Sequence, residues 1–340
     1  MKKFLLPETG IFYKANLHCH SNISDGCRSP EEIKELYRSR GYSIVAYTDH
    51  DVYIRHPELA DESFLPLYGY EMEVDEAGKP DYSERRTCHM CLIAKDPDVT
   101  EQVCWHRSKY LFGNAPKWRD KVRFDASEPD YERYYTGECI NDMMQRGREH
   151  GFFVTYNHPN WSLESWPEYV RYEKMDAMEI FNNASCHGYQ DYNPKAYDDL
   201  LRAGRRISCI AADDNHNGED PSSPGCDSFG GFTVIKAERL EYRTVMQALE
   251  AGHSYASQGP EIRALWFEDG RLHLECSPAD HVDFSYGARY AERACSSGGE
   301  PVTEASCAVP RNCVYVRATV VDGHGKPANT NAYFADELYA

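Results

Sequence analysis

The feature of this sequence that most constrains its fold is a pair of histidines one residue apart, His18 and His20, at the end of a short apolar run. Residues i and i+2 of a strand point to the same face, so both imidazoles can reach one metal ion. Asp25 follows closely, and His50 ends the next apolar run. Taken alone, a His-x-His pair also fits a half-buried strand with two polar residues on its solvated face. The polar residues at later strand ends favour the metal site.

Further histidines and carboxylates recur at the ends of later strand-like runs. They are Glu71 in Gly-x-Glu, His89, His158 before Pro159, and Asp214 and His216 in Asp-x-His. Side chains at the carboxyl ends of barrel strands meet at one mouth, where they can hold several metal ions together. Glu73 competes with Glu71 for its place, and Asp213 competes with Asp214, but the spacing favours Glu71 and Asp214.

The first two-thirds of the chain alternates short apolar runs with helical stretches, which is typical of a mostly parallel α/β barrel. The predicted strands are 14–18, 43–48, 65–71, 87–94, 152–157, 177–181, 207–211 and 231–235. The predicted helices are 30–40, 192–202 and 241–251, and Ser29 is the expected N-cap of the first. Residues 96–137 interrupt this rhythm with many aromatic and charged side chains, which predicts a lid or a substrate-facing insertion.

The character of the sequence changes after residue 258. Short alternating strands with Gly and Ser turns are predicted at 264–268, 271–277 and 314–321. A chain of 340 residues can form one large domain and a smaller one. We therefore predict a metal-binding barrel over residues 1–258 and a small β-rich domain over residues 259–340.

Composition restricts the partners of the chain. The formal net charge of −18 repels polyanions, so we expect no bulk nucleic-acid binding. No run approaches the roughly 18 apolar residues of a membrane span, and the first residues lack the apolar core of a signal peptide. Thirteen scattered cysteines, an odd number, predict reduced thiols rather than a disulfide framework. Together these features predict a cytoplasmic protein that does not bind membranes, and its oligomeric state stays open.

Cys88 and Cys91 have the C-x-x-C spacing of a zinc knuckle or a redox pair. A second such pair is absent from the sequence. Residues 87–94 also fit a buried strand, in which the two thiols would face opposite sides. We therefore expect a structural rather than a zinc or redox role for these cysteines.

In chain order, the histidine and carboxylate motifs resemble the motif series of the PHP (polymerase and histidinol phosphatase) family over residues 14–258. The segment 252–260, with the β tail after it, is similar to the CehA/McbA-type metallohydrolase branch of that family. The resemblance implies an α/β fold, a distorted (β/α)7 barrel, with a trinuclear site at the carboxyl ends of the strands. By these motifs, the first ion would be held by His18, His20, Glu71 and Asp214, the second by Glu71, His89 and His158, and the third by Asp25, His50 and His216.

The ligand types indicate the chemistry. Imidazole and carboxylate without thiolate suit Mn²⁺, Fe²⁺ or Zn²⁺, and we predict two to three such ions. Neighbouring ions lower the pKa of a shared water, and the resulting hydroxide can attack a phosphoester whose charge the ions neutralise. The predicted activity is therefore that of a polynuclear metal-dependent phosphoesterase. Its substrate would be a small phosphorylated molecule, such as a nucleotide or sugar monoester or a cyclic diester.

The residues for proton transfer and substrate binding are less well marked by the sequence. Glu71, Asp49 and His187 are the candidates for catalytic roles. Asp49 also fits a residue that orients a ligand histidine, and His187 also fits a histidine of a surface loop. The candidates for holding a substrate phosphate are Arg85, Arg86, Arg119 and Arg123, although each also fits a solvated charged face.

Two other functions stay open. The CehA-like resemblance also implies hydrolysis of carboxylic esters, carbamates or amides, because the same hydroxide can attack a carbonyl. A phosphate substrate predicts arginine or lysine converging near the metals, whereas a carbonyl substrate predicts an apolar, aromatic wall. A non-catalytic, metal-stabilised domain would be marked by lost ligands, and all nine positions hold competent ones.

Overall fold

All eight strands predicted in the first two-thirds of the chain are present in a computed structural model, which describes residues 2–188, 191–296 and 298–340, without the side chains of 187 and 188. The strands are β1 (Lys3–Phe4), β2 (Ile11–Asn16), β3 (Ile44–Tyr47), β4 (Leu65–Asp75), β5 (Thr87–Ala94), β6 (Phe152–Tyr156), β7 (Ala177–Asn182), β8 (Ser208–Ala212), β9 (Phe232–Ala237), β10 (Ser254–Ser257), β11 (Ile262–Glu268), β12 (Arg271–Ala279), β13 (His281–Ser285), β14 (Ala291–Cys295), β15 (Val302–Ala308), β16 (Tyr315–Val321), β17 (Pro327–Thr330) and β18 (Tyr333–Phe334). The helices are α1 (Pro30–Arg38), α2 (Gly137–Glu149), α3 (Trp166–Tyr169), α4 (Ser185–Gly188), α5 (Pro194–Arg202), α6 (Tyr242–Glu250) and α7 (Ala335–Leu338).

The larger sheet contains an eight-strand segment in the order β9-β2-β3-β4-β5-β6-β7-β8. Strands β2 to β4 are parallel, as are β6 to β8, whereas β5 is antiparallel to both of its neighbours and β9 is antiparallel to β2. The α/β class is therefore confirmed. The antiparallel β5 departs from a regular strand–helix repeat, so the (β/α)7 barrel stays a prediction.

The loops that follow β2 and β8 are hydrogen-bonded to each other. The Asp214 N–H donates to the His18 carbonyl over 2.9 Å, and the His20 N–H donates to the Asn215 carbonyl over 3.0 Å. These bonds bring the first and last predicted metal-binding motifs of the chain side by side.

Helix α1 illustrates how the local sequence sets an element between two strands. The Ser29 side chain accepts the Glu32 N–H, the Glu32 carboxylate accepts the Ser29 N–H, and Pro30 occupies the first helical position. Ile33 and Tyr37 are buried against the sheet. The helix ends at Arg38, two residues before the predicted end at Arg40.

Strand β5, which carries both cysteines of the C-x-x-C pair, is buried along its whole length. Burial raises the pKa of the Cys88 and Cys91 thiols, so both stay protonated and are poor zinc ligands and nucleophiles. None of the thirteen cysteines of the chain is paired in a disulfide.

The C-terminal part of the chain forms the predicted β structure. The smaller sheet has the order β1-β11-β12-β15, and its first strand comes from the N-terminus of the chain. The larger sheet continues from β9 through β10 into β17, β16, β13 and β14. Because β10 pairs with β17, hydrogen bonds cross the predicted domain boundary at residue 258, and that boundary stays a prediction.

The insertion at 96–137 packs over the end of the sheet that carries the predicted ligands. It contains a short 3-10 helix at Ala115–Lys121. Trp105, Ala115 and Val122 of the insertion form an apolar cluster with Ile23 and Val52, which follow β2 and β3. This cluster fixes the insertion against the two loops that carry Asp25 and His50. No helix in the described ranges is long and apolar enough to cross a membrane.

Candidate metal centre

The nine predicted ligands lie together where the ends of β2 and β8 meet. Two four-residue groups place one ligand atom of each member within 4.8 Å of the others. These groups are His18, His20, Glu71 and Asp214, and His20, Asp25, His50 and His216. Two further groups, with the same spacing, are His50, Glu71 and His89, and His18, His158 and Glu179.

The first group corresponds to the ligand set that the sequence motifs imply for one ion. His18 Nε2 lies 3.2 Å from both Glu71 Oε1 and Asp214 Oδ1. His20 Nε2 lies 3.1 Å from Asp214 Oδ1 and 3.3 Å from Glu71 Oε2. Two imidazole nitrogens and two carboxylates thus converge on one small volume, which is the donor set of a divalent ion.

Asp25 anchors the second group on the opposite side of His20. Its Oδ2 lies 3.2 Å from His216 Nε2 and 3.7 Å from His50 Nε2. Its Oδ1 lies 3.4 Å from His20 Nδ1. The three ligands implied for the third ion are therefore together, and His20 lies between this group and the first.

Glu71 is at the centre of the whole cluster. Its carboxylate oxygens lie within 3.4 Å of five imidazole rings. The rings are those of His18, His20, His50, His89 and His158. A carboxylate in this position can bridge two ions, as the sequence motifs imply.

The cluster fits divalent metal ions because several of its buried imidazole nitrogens have no hydrogen-bond partner among the described residues. His20 Nδ1, His50 Nδ1 and both ring nitrogens of His89 make no hydrogen bond within the part of the chain that the structure describes. Buried polar atoms are normally hydrogen-bonded, so unpaired nitrogens that face carboxylates indicate ligand atoms. No thiolate lies in any of the four groups, which agrees with Mn²⁺, Fe²⁺ or Zn²⁺.

The electrostatics of the cluster favour cations. Burial alone would lower the pKa of His18, but the charges of Asp214 and Glu71 outweigh it and raise that pKa well above its ordinary value. Burial, with the positive charge of His20 beside it, lowers the pKa of His50 to about 4. Metal ions bind neutral imidazole, so their binding here has to displace protons from the cluster.

Comparisons with known proteins found partial matches. No protein-family model matches the chain. A segment of 118 residues is 27% identical to part of the error-prone DNA polymerases of Mycobacterium bovis and Mycobacterium tuberculosis. That segment is 33% of this chain and only 11% of the polymerases, so the match spans about a tenth of their length.

Solved structures give longer matches at low identity. A two-domain protein of Bacteroides vulgatus with a predicted PHP-like metal-dependent phosphoesterase is 16% identical, with a TM-score of 0.45 and 94% of each chain covered. A proposed metal-dependent phosphoesterase of Bifidobacterium adolescentis is 15% identical, with a TM-score of 0.37 over 64% of this chain and 91% of its own. An amidohydrolase of Chromobacterium violaceum is 16% identical, with a TM-score of 0.35 over 62% of this chain and 93% of its own.

This chain resembles the PHP-like phosphoesterases. The family resemblance of this chain is carried by its sequence motifs, and its assignment to the CehA/McbA branch stays a prediction.

Two residues that the sequence did not single out support the PHP-like cluster. Glu179 Oε1 lies 2.8 Å from His18 Nδ1, and Glu179 Oε2 accepts the His158 N–H over 3.0 Å. Asn157 Nδ2 donates to Glu71 Oε1 over 2.8 Å. Such partners fix the tautomer and orientation of metal ligands. The available signal for Glu179 was a carboxylate within a strand, β7, whose other residues are apolar or amide-bearing.

The hydrogen bonds of Asp49 match neither of its two predicted roles, which are proton transfer and the orientation of a ligand histidine. Its carboxylate accepts the Ser21 and Ser24 N–H groups, over 2.8 and 3.1 Å, and both hydroxyls of these serines, each over 2.8 Å. Those four bonds occupy Asp49 with the loop that carries Asp25. Asp49 therefore shapes this loop, and the structure gives it no contact with a ligand histidine.

The two competing carboxylates differ in their surroundings. Asp213 accepts the N–H groups of residues 229–231 and the Tyr37 hydroxyl, which leaves Asp214 facing the cluster. Burial raises the pKa of Asp213 to about 7. Glu73 lies at the edge of the cluster, with its Oε2 3.3 Å from His89 Nε2. It does not replace Glu71, which lies at the centre.

The structure does not bring the four predicted substrate-binding arginines to the cluster. Arg85 donates to the carbonyls of Lys79 and Pro80, and Arg86 pairs with Glu76 and Glu168. Arg119 and Arg123 lie in the insertion and, like the other two, do not line the cavity at the cluster. The side chain of His187 lies outside the described residues. Arg85 and Arg86 show that a guanidinium pairs with nearby carboxylates and carbonyls of the protein itself, and a role of the four arginines in substrate binding stays a prediction.

A cavity of about 590 Å³ opens onto the cluster. Besides cluster ligands, it is lined by Glu73, Asp75, Tyr82, Tyr110, Leu111, Phe112 and Trp161. Three of these residues belong to the insertion, which therefore faces the cavity as predicted. The Phe112 ring centre lies 4.6 Å from that of His50, and the Trp161 ring centre lies 5.1 Å from that of His158. The wall near the cluster is therefore aromatic.

Gly113 seats the insertion on the loop that carries Asp25. Its φ is +59°, and a Cβ there would lie 2.5 Å from the Ser24 carbonyl oxygen. The next N–H, of Asn114, donates to that same oxygen over 2.7 Å. Only glycine fits both this conformation and this close approach.

We expect Gly113→Ala to destabilise the fold by about 1–3 kcal/mol and to lower turnover, because the insertion must move away from the Asp25 loop. Urea unfolding and initial rates measure the two effects. Gly41→Ala is the matched control, since Gly41 has a φ of +76° but no atom within 4 Å of the added Cβ. If Gly113→Ala and Gly41→Ala lower the free energy of unfolding and the turnover equally, the contact with Ser24 is unimportant.

A buried carboxylate supports the loop after His158. Glu164 accepts hydrogen bonds from the hydroxyls of Tyr135, Tyr156 and Tyr172, and its N–H donates to the Pro159 carbonyl. Burial raises its pKa to about 7, against the lowering effect of the three hydroxyls. The folded protein therefore holds a proton on Glu164 more tightly than the unfolded chain does.

This raised pKa predicts a pH dependence of stability. The stabilising contribution of Glu164 to the free energy of unfolding is fully present below its ordinary pKa of 4.5, and it declines as pH rises to about 7. Glu164→Gln removes this titration. Relative to the wild type, the free energy of unfolding of the variant should therefore rise by about 3 kcal/mol between pH 4.5 and 8. Urea unfolding of both proteins across this range measures the difference. A constant difference would mean that Glu164 titrates normally.

Proposed function

We propose that this chain is a metal-dependent hydrolase of small phosphoesters that works with two to three divalent ions. The observation that carries the proposal is the position of Glu71 within 3.4 Å of five imidazoles, with Asp25 and Asp214 beside them. When bound, such ions supply a water of lowered pKa and neutralise negative charge on a phosphoester.

The residues of the chain position and shield this chemistry. Glu71, Asp25 and Asp214 supply the negative charge that holds the ions, and Glu179 and Asn157 fix the orientation of His18 and Glu71. The insertion lines one side of the cavity through Tyr110, Leu111 and Phe112. The cytoplasmic location and the lack of nucleic-acid partners stay predictions from composition.

The cavity wall favours a second candidate, hydrolysis of a carboxylic ester, carbamate or amide. The described lining contains Tyr82, Tyr110, Phe112 and Trp161 but neither arginine nor lysine. A phosphate group that reaches this cavity would depend on the ions alone for neutralisation, whereas a carbonyl compound needs no further cation. The CehA/McbA-like branch predicted from residues 252–260 would have this activity.

A panel of three substrates on the metal-loaded protein separates the two candidates. We expect turnover of p-nitrophenyl phosphate or bis(p-nitrophenyl) phosphate if the substrate is a phosphoester. Turnover of p-nitrophenyl acetate alone would favour the second candidate. Glu71→Gln is the background control for every substrate, and rates that equal this background for all three would reject a hydrolase of either kind.

A further inference from the structure

The outer part of the cavity combines aromatic rings with carboxylates. Tyr82 is 50% exposed and Phe112 is 36% exposed, although both line the cavity, so their rings are open to a ligand. Asp75 and Glu73 belong to the same wall. Building on the proposed hydrolase, we propose that its substrate carries an alkylated ammonium group that binds between these rings and Asp75.

Aromatic faces bind organic cations because the ring quadrupole places negative charge on them. Tyr110 already binds a cation behind the cavity wall, since the buried Arg133 guanidinium carbon, which is not part of the cavity lining, lies 4.3 Å from its ring centre. Tyr82 and Trp161 form a second aromatic pair, with ring centres 6.5 Å apart. Aromatic residues thus line this one cavity, and aromatic-lined sites recognise quaternary ammonium ligands.

The carboxylates of the wall give the cavity the complementary charge. Asp75 Oδ1 is buried and makes no hydrogen bond within the described residues. Arg85 Nη1 comes no closer than 3.8 Å to Asp75 Oδ2, beyond hydrogen-bond distance, and the guanidinium donates to backbone carbonyls instead. Asp75, whose side chain is 28% exposed and lines the cavity, is therefore only partly neutralised by the protein, and a ligand cation beside the exposed part of its carboxylate would balance its charge.

Other ligand groups fit this wall less well. A polyhydroxylated sugar could stack on the rings and donate hydroxyls to Asp75, but it would leave the carboxylate charge without a counter-ion. A neutral aromatic group would stack on the rings but would leave Asp75 without a partner. An alkylated ammonium group satisfies both features, and the hydrolysable bond of the same molecule would then face the metal cluster.

Calorimetry with two molecules of the same shape tests this proposal without any turnover. Choline and 3,3-dimethyl-1-butanol differ in that the positive nitrogen of the first is a neutral carbon in the second. On the metal-loaded protein we expect choline to bind at least about tenfold more tightly. Equal affinities, or a preference for the neutral alcohol or for 2-phenylethanol, would overturn the proposal.

Two variants locate the binding site, and kinetics connect it to the proposed function. Tyr82→Leu and Asp75→Asn should each reduce the preference for choline several-fold, whereas Tyr134→Leu, at an exposed tyrosine outside this cavity, should keep it. An unchanged preference in both cavity variants would place the cation elsewhere. Phosphocholine should also exceed 3,3-dimethylbutyl phosphate in kcat/KM. Cleavage of p-nitrophenyl phosphate but of neither of these two compounds would overturn the ammonium substrate and leave the phosphoesterase proposal standing, while calorimetry decides the ammonium site itself.

Discussion

Glu71→Gln is expected to lower kcat/KM at least about a thousandfold and to reduce the number of bound metal ions. The substitution keeps the shape of the side chain but removes the charge that lies among five imidazoles. A neutral amide cannot bridge two cations, and removal of one preorganised electrostatic group from an active site costs about 10²–10³ in rate. Loss of an ion adds to that cost.

Metal analysis and initial rates on the purified variant measure both effects. Glu62→Gln, at an exposed glutamate, is the control and should bind metal and turn over substrate like the wild type. His158→Ala should also abolish activity, because it removes a proposed ligand whose Nε2 lies 3.4 Å from Glu71 Oε1. Full activity in Glu71→Gln would show that this carboxylate bridges nothing.

Removal of metal is expected to lower the melting temperature by about 10 °C. A bound ion stabilises the folded state by about 4 kcal/mol when it is present at 1,000 times its Kd. Each kcal/mol corresponds to about 2–4 °C for a domain of this size class. In addition, the stripped cluster keeps Asp25, Glu71 and Asp214 in a small buried volume with imidazoles that lack hydrogen bonds.

Differential scanning calorimetry before and after chelation measures this change. Added Mn²⁺ or Zn²⁺ should restore the original melting temperature, and Glu71→Gln should respond less to either treatment. A melting temperature that is the same with and without chelator would mean that the cluster holds no ion that stabilises the fold.

Several ligands of the cluster could be predicted because they follow buried strands, whose ends fix the position of the next residues: His18 and His20 follow β2, and His158 follows β6. Glu71 and His89 lie within β4 and β5, and they were assigned by the resemblance of the motifs. The antiparallel direction of β5 was not accessible from the predicted strands, because residues 72–86 between them are enough for a parallel crossover. In the structure β4 extends to Asp75, and residues 76–86 contain no α-helix.

The surroundings of the cluster could not be predicted in the same way. Glu179 reaches His18 from a strand far along the chain, and only the tertiary fold brings the two together. Asp49 was a plausible proton carrier beside His50 until its four hydrogen bonds to Ser21 and Ser24 were visible. The aromatic wall depends on how an irregular insertion folds over the sheet, which no periodicity specifies.

Anomalous X-ray diffraction from crystals of the protein loaded with Mn²⁺ or Zn²⁺ tests the central claim most directly. We predict two to three anomalous peaks within bonding distance of the cluster, with Glu71 contacting more than one of them. Peaks that lie only elsewhere in the molecule, or a cluster that stays empty at saturating metal, would contradict the assignment of these residues as a polynuclear metal centre.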